Sequence, residues 1–85
     1  MRNTDVIEVI PLGNHYVYLK FHNNEERILD VTPYMVGGWY EPLENPDYFK
    51  TVHVANYTIE WADGQDIAPH ELYEMSVPIS LYKVS

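Results

Sequence analysis

The sequence predicts an α+β domain, built on a small antiparallel sheet of about five strands and a few short helices. Two observations predict this class. Apolar and polar residues alternate along residues 16–22, which is the period of a half-buried strand. Three prolines also stand where the first turn of a helix favours them. We expect one domain over residues 1–76, with residues 77–85 forming a C-terminal tail or edge strand.

Residues 5–31 predict a three-stranded meander. Val6 and Val9 would face opposite sides of a regular first strand, so its facing stays open and a β-bulge is one solution. Asn23-Asn24 predicts a tight turn before the third strand, because Asn tolerates positive φ. The expected core residues of strand two are Val17, Leu19 and Phe21.

Proline then marks three short helices. Thr32-Pro33 and Asn45-Pro46 each combine an N-cap residue with a proline at the first helical position. Pro69 opens the third helix, in which Leu72 and Met75 are spaced to face the sheet. The residues expected to cover one edge of the core are Trp39 and Leu43, in the connection between the first two helices, and Phe49, in the second helix.

Two further strands are expected at residues 51–54 and 57–61, closed by a turn at Asp63-Gly64. The tail from residue 77 to residue 84 keeps a strand-like alternation that Pro78 interrupts. A proline in a strand confines it to an edge or to an extended arm.

Charge and composition exclude several classes of function. The chain has 5 Lys and Arg against 13 Asp and Glu, a net charge of −8, which disfavours direct nucleic-acid binding. It has no cysteine and no long apolar run, and its first residues lack a signal-peptide pattern, so we expect a cytoplasmic location without a membrane contact. No glycine-rich phosphate loop is present, and no cofactor is expected.

One constellation allows a metal-assisted hydrolase as the alternative function. His70 and Glu74 are four residues apart on the predicted helix, as the ligands of zinc-protease helices are. Asp66 or His53 would supply the third ligand. A solvated, acid-rich first helical turn explains the same residues, so both interpretations stay open.

Aromatic residues exceed what a core of this size must hold, with eight Tyr, two Trp and two Phe. Tyr and Trp are enriched in protein interfaces. Ordinary amphipathic tyrosines on a sheet face are the competing interpretation. The residues expected to contact a partner are Tyr16, Tyr18, Tyr40, Tyr73 and Tyr82.

The chain resembles a small bacterial family known as domain of unknown function 2442. The most specific part runs from Trp61 to Tyr73, and further matches include Leu19, Phe21, Arg27 and the segment 43–49. Family members usually have Gly where this chain has Asn24. In the most specific part, the residues expected to be structural are Trp61, Asp63, Gly64, Asp66, Pro69 and Tyr73.

The resemblance implies a compact α+β fold without an established activity, cofactor or catalytic residue. Some relatives look as if they sit beside another small protein or are fused to a helix-turn-helix domain, which implies antitoxin-like or regulatory pairing. The leading hypothesis is therefore a non-enzymatic module that binds a protein partner, with a basic partner favoured by the charge of −8. A homodimer formed through the C-terminal tail is the third hypothesis.

Overall fold

A computed structural model describes residues 5–82 and confirms the α+β class. The six strands are β1 (Val6–Pro11), β2 (Tyr16–Phe21), β3 (Glu26–Asp30), β4 (His53–Ala55), β5 (Thr58–Glu60) and β6 (Val77–Pro78). The two α-helices are α1 (Pro46–Phe49) and α2 (Pro69–Met75). Four 3₁₀ segments lie at Gly13–His15, Thr32–Tyr34, Glu41–Glu44 and Ile79–Tyr82.

The strands form two sheets instead of one. An antiparallel four-stranded sheet has the order β1-β2-β3-β6, and β4 and β5 form a separate two-stranded sheet. The meander of β1, β2 and β3 agrees with the prediction. The count of about five strands is close, and the sixth strand is the pair of residues that follows α2.

The described part of the tail begins as a short edge strand and then changes conformation. Only Val77–Pro78 pairs with β3, and the chain then turns into the 3₁₀ segment Ile79–Tyr82. Pro78 has no N–H to donate to a ladder, which accounts for a strand that stops there. The predicted edge pairing is thus present at Val77–Pro78, and residues 83–85 of the predicted tail lie outside the described part.

A β-bulge in β1 resolves the facing of this strand. Val6 pairs with Phe21 and Glu8 pairs with Lys20, so two steps along β1 match one step along β2. Ile7 is the extra residue, and it is 51% exposed. Because of this insertion, Val6 and Val9 both face the core.

The core lies between one face of the four-stranded sheet and the elements that follow β3. The sheet contributes Val6, Val17, Leu19, Phe21 and Leu29, and the later elements contribute Leu43, Phe49, Val52, Ile59, Trp61, Ile67 and Leu72. The indole of Trp61 is completely buried, and its Nε1–H donates to the carbonyl oxygen of Phe49 at 3.0 Å. One side chain thus connects α1 with the end of β5.

Several local predictions require correction. Trp39, expected to cover the core, is 57% exposed, and Met75 is 55% exposed, so only Leu72 of the predicted helical pair is buried. The helix α2 is two turns long, and it contacts the core through Leu72 and the adjacent Tyr73. Thr32 lies inside a 3₁₀ segment, and its N–H is accepted by the Asp30 carboxylate at 2.9 Å.

The prediction of an N-cap at Asn45 is confirmed. Its side-chain oxygen accepts the N–H of Asp47 at 2.9 Å, and Pro46 occupies the first position of α1. This arrangement satisfies an amide that the helix itself leaves without a partner.

Candidate interaction surface

The outer face of the four-stranded sheet is the side turned away from the core. Strand pairing places on it Glu8, Ile10, Tyr16, Tyr18, Lys20, Glu26, Ile28, Asp30 and Val77. These residues alternate with the buried residues of the same strands, as one-sided sheets require. We use the name outer face for this set.

An apolar row crosses the outer face through all four strands. It consists of Ile10, Tyr18, Ile28 and Val77, each paired with the next. At the usual strand spacing the row is about 14 Å wide. Ile10 is 44% exposed, and the other three residues are half-buried.

Acidic residues flank this row. On one side of the row, Lys20 on β2 lies between its strand partners Glu8 on β1 and Glu26 on β3. On the other side, Tyr16 on β2 pairs with Asp30 on β3. The face therefore carries three carboxylates and one ammonium group. An apolar centre with a charged rim is the usual anatomy of a protein interface.

The negative field on this face is visible in Tyr18. Its O–H donates to Glu26 Oε2 at 2.6 Å. That hydrogen bond, together with partial desolvation and the charges of Glu26 and Glu8, raises the pKa of Tyr18 to about 12. The carboxylates resist the formation of another anion beside them, and they would favour a cation in the same place.

The structure separates the predicted partner-contact tyrosines. Tyr16 and Tyr18 lie on the outer face. Tyr40 packs against the core, and its O–H donates to the carbonyl oxygen of Asp66 at 2.8 Å. Tyr73 also packs against the core, and the prediction for Tyr82 falls on a side chain outside the described part.

Tyr73 belongs to a cluster that fastens the C-terminal elements to β3. Its ring lies 4.3 Å from the guanidinium carbon of Arg27, and its O–H donates to Glu25 Oε2 at 2.6 Å. Arg27 donates to Glu25 Oε1 at 2.9 Å and to the side chain and backbone oxygens of Ser76 at 2.7 Å. We call Glu25, Arg27, Tyr73 and Ser76 the Arg27 clasp.

The segment from Trp61 to Gln65 is a tight hairpin turn. The N–H of Gly64 donates to the carbonyl oxygen of Trp61 at 2.9 Å. The N–H of Trp61 donates in turn to the carbonyl oxygen of Gln65 at 2.8 Å. Gly64 has a φ of +93°, a value that glycine adopts readily. Asp63 accepts the Tyr48 O–H at 2.8 Å, and Pro69 begins α2 a few residues later.

The same turn geometry recurs at Asn24. The N–H of Asn24 donates to the carbonyl oxygen of Phe21, and the N–H of Phe21 donates to the carbonyl oxygen of Glu25. The φ of Asn24 is +70°. Because this position requires a positive φ, glycine, which resembling family members usually have there, would suit it as well as Asn24.

The proposed ligands of a metal site do not converge. Among residues 5–82, no group of three or more His, Asp and Glu side chains is placed to hold a metal ion. The backbone of Asp66 forms an isolated antiparallel β-bridge with Glu60, ahead of α2. His70 and Glu74 are exposed on that helix. His53 instead lies 3.2 Å from the Glu60 carboxylate. His70 and Glu74 do lie four residues apart on one helix, as predicted. The two candidates for a third ligand, Asp66 and His53, are instead paired with Glu60.

The pKa of His53 is raised, mainly by its hydrogen bond with the carbonyl oxygen of Thr51 and further by Glu60. Because the ring is half exposed, solvent screens this pair strongly. The pair joins β4 to β5 and has no further acid or imidazole in contact among the described hydrogen bonds.

Sequence reasoning missed part of the surface. Ile28 and Val77 complete the apolar row, but Val77 reaches it only because β6 pairs with β3, some 49 residues earlier in the chain. Alternation within β2 was the signal that placed Tyr16 and Tyr18 outside. No local sequence pattern predicts that β3 and β6 pair, because they lie far apart in the chain.

These features define a class of small α+β proteins with a one-sided antiparallel meander and a short C-terminal helix. The chain belongs to the family described as Protein of unknown function (DUF2442), whose model matches residues 6–78. The matched range covers most of the chain and includes all six strands. Comparisons with curated proteins and with solved structures give no match. No described helix has the length and apolar character needed to cross a membrane.

Proposed function

We propose that this protein is a non-enzymatic interaction module whose outer face binds a basic protein partner, in an antitoxin-like or regulatory pairing. The apolar row with its acidic flanks is the observation that carries the proposal. Burying Tyr18 and its aliphatic neighbours would supply the hydrophobic part of the binding free energy. The flanking carboxylates would select a partner with Lys or Arg at matching positions.

The charge of the whole chain supports the same choice of partner. A net charge of −8 on 85 residues attracts basic proteins over distances comparable to the Debye length. A second copy of this chain is disfavoured as the occupant of the outer face, because Glu8, Glu26 and Asp30 would then meet a surface of the same sign.

A charge-reversal experiment tests the proposal. The wild-type chain and a Glu8→Lys/Glu26→Lys variant are immobilised and exposed to extract from the organism that encodes the chain. The matched control is Glu41→Lys/Glu44→Lys, which changes the net charge equally at two exposed residues of another element. Circular dichroism verifies that all three chains are folded.

We expect the wild type and the control to retain the same basic protein in stoichiometric amount, with less retained at higher salt. The outer-face variant should lose it. Retention of no stoichiometric partner would contradict the proposal. Equal loss from both variants would attribute binding to net charge alone and would also contradict a role for the outer face.

Self-association through the tail remains a separate prediction. Leu81, in the last 3₁₀ segment, is an apolar side chain that is 73% exposed. Sedimentation velocity of the wild type and of Leu81→Lys checks it. A dimer that dissociates in the variant is the expected result, and equal monomeric masses for both chains would contradict it.

A further inference from the structure

A cleft of about 370 Å³ lies between the β1–β2 turn and α1. Its volume falls in the lower part of the range of pockets that bind small molecules. The lining residues are Pro11, Leu12, Gly13, Asn14, His15, Pro46 and Lys50. None of these seven residues belongs to the outer face, so the cleft is a separate feature of the surface.

The walls of the cleft combine apolar and cationic character. Pro11, Leu12 and Pro46 form an apolar part, and His15 and Lys50 are the lining residues with basic side chains. Among residues 5–82, no Asp or Glu lines the cleft, although the chain has 13 Asp and Glu against 5 Lys and Arg. In a protein this acidic, an acid-free cleft with a lysine is a favourable place for an anion.

The imidazole is held in position by the core. The ring of His15 stands edge-on to the buried ring of Phe49, with 5.3 Å between ring centres and an angle of 83° between their planes. The carbonyl oxygen of His15 accepts the N–H of Val31 at 2.9 Å. The ring therefore needs little reorganisation to receive a ligand, which favours binding.

We propose that this cleft binds a carboxylate attached to an apolar group. The Lys50 ammonium pairs with the carboxylate, a ring N–H of His15 donates a hydrogen bond to it, and the apolar group packs on the two prolines and Leu12. A free aromatic or branched acid and the C-terminal carboxylate of a peptide share this chemistry.

Nuclear magnetic resonance of the full chain tests the proposal with benzoate as the probe. We expect the backbone amide signals of Gly13, Asn14 and His15 to shift along a saturable curve. Benzamide, which has the same ring without the charge, should bind at least tenfold more weakly. Equal shifts from benzoate and benzamide would overturn the role of the charge.

Two lysine variants provide the matched comparison. Lys50→Met should weaken benzoate binding at least tenfold, and Lys20→Met, which removes an ammonium from the outer face, should leave it unchanged. Equal affinities of the two variants would overturn the assignment to this cleft. His15→Asn is a second probe, because Asn tolerates the positive φ of 67° at this position while it lacks the imidazole. It should bind benzoate more weakly and remain folded.

Two further probes identify the ligand more closely. Inorganic phosphate that binds as tightly as benzoate, and depends equally on Lys50, would overturn the apolar part of the proposal. The peptide Gly-Gly-Phe, with a free or an amidated C-terminus, separates the two sources. Tighter binding of the free peptide than of benzoate supports a protein C-terminus, and the reverse order supports a small free acid.

Discussion

The tyrosine hydroxyls of this chain differ in how well they are satisfied. The Tyr48 O–H lies 2.8 Å from Asp63 Oδ2 and 3.1 Å from Gln65 Oε1, and its oxygen accepts the N–H of Asp63 at 3.0 Å. The hydroxyl oxygen of Tyr34 is buried without a hydrogen-bond partner among the described residues. Burial raises the pKa of Tyr34, and the charge of Glu71 adds to this effect, so its hydroxyl stays neutral at physiological pH.

Removal of the Tyr34 hydroxyl should therefore leave the fold at least as stable. We expect Tyr34→Phe to change the free energy of unfolding by less than about 0.5 kcal/mol or to raise it, because a buried polar atom without a partner opposes folding. Urea denaturation measures the change.

The control is Tyr40→Phe, which removes the hydrogen bond to the Asp66 carbonyl. This variant should lose about 1 kcal/mol. A larger loss for Tyr34→Phe than for Tyr40→Phe would mean that the Tyr34 hydroxyl has a partner.

At the scale of the elements, the turn between β4 and β5 contains a strained residue. Asn56 and Tyr57 both have positive φ, 54° and 69°, between the paired residues Ala55 and Thr58. This is the geometry of a two-residue type I′ turn, which favours Asn followed by Gly. Tyr57 is 64% exposed, so few contacts compensate for its conformation.

Tyr57→Gly should raise the free energy of unfolding by about 1 kcal/mol, because glycine adopts positive φ without strain. Gly64→Ala is the matched opposite, since a Cβ there meets no atom within 4 Å and only the φ of +93° opposes it. It should lower the free energy of unfolding by about 1 kcal/mol. Changes of the same sign in both variants would contradict backbone strain as the cause.

The Arg27 clasp should make the stability depend on pH. The hydrogen bond from Tyr73, helped by Asn23 and Arg27, lowers the pKa of Glu25. A carboxyl group whose pKa is lower in the folded state stabilises the fold above its unfolded pKa of about 4.3, and this contribution is lost as the pH falls through the folded value.

Glu25→Gln should therefore be less stable than the wild type at pH 7, with a difference that shrinks as the pH falls below about 4. Tyr73→Phe, which removes the largest cause of the shift, should show a weaker pH dependence in the same range. Thermal denaturation across pH 3–7 provides the measurement. A difference between wild type and Glu25→Gln that does not vary with pH would contradict the role of the clasp.

The elements that could be predicted are those with a local cause. Alternation in β2 predicts its buried and exposed sides, and Asn45-Pro46 and Pro69 predict two helix starts. The separation of β4 and β5 from the main sheet depends on packing between distant segments. The outer face was predictable only within β2, because its width across four strands depends on the pairing of β6.

The whole molecule carries an excess of negative charge that opposes the folded state. A net charge of −8 is confined to a smaller volume when the chain folds, and the repulsion grows accordingly. Added salt screens exposed charges beyond about 8 Å at 0.15 M ionic strength.

We expect the midpoint of thermal unfolding to rise when NaCl is increased from about 20 mM to about 300 mM. KCl at equal ionic strength should have the same effect, because screening does not depend on the identity of the cation. A midpoint that falls with added salt would indicate that attractive ion pairs outweigh the repulsion.

The bulge at Ile7 determines where the first strand can lose a residue. Without Ile7, Val6 and Glu8 would become neighbours in the chain while their partners Phe21 and Lys20 stay the same. Deletion of this single residue would give a regular ladder with each side chain on its present side. Deletion of a residue farther along the strand, such as Val9, would either invert the sides of the residues beyond it or turn Glu8 towards the core. The bulge is therefore where this strand can lose a residue without exchanging interior and surface.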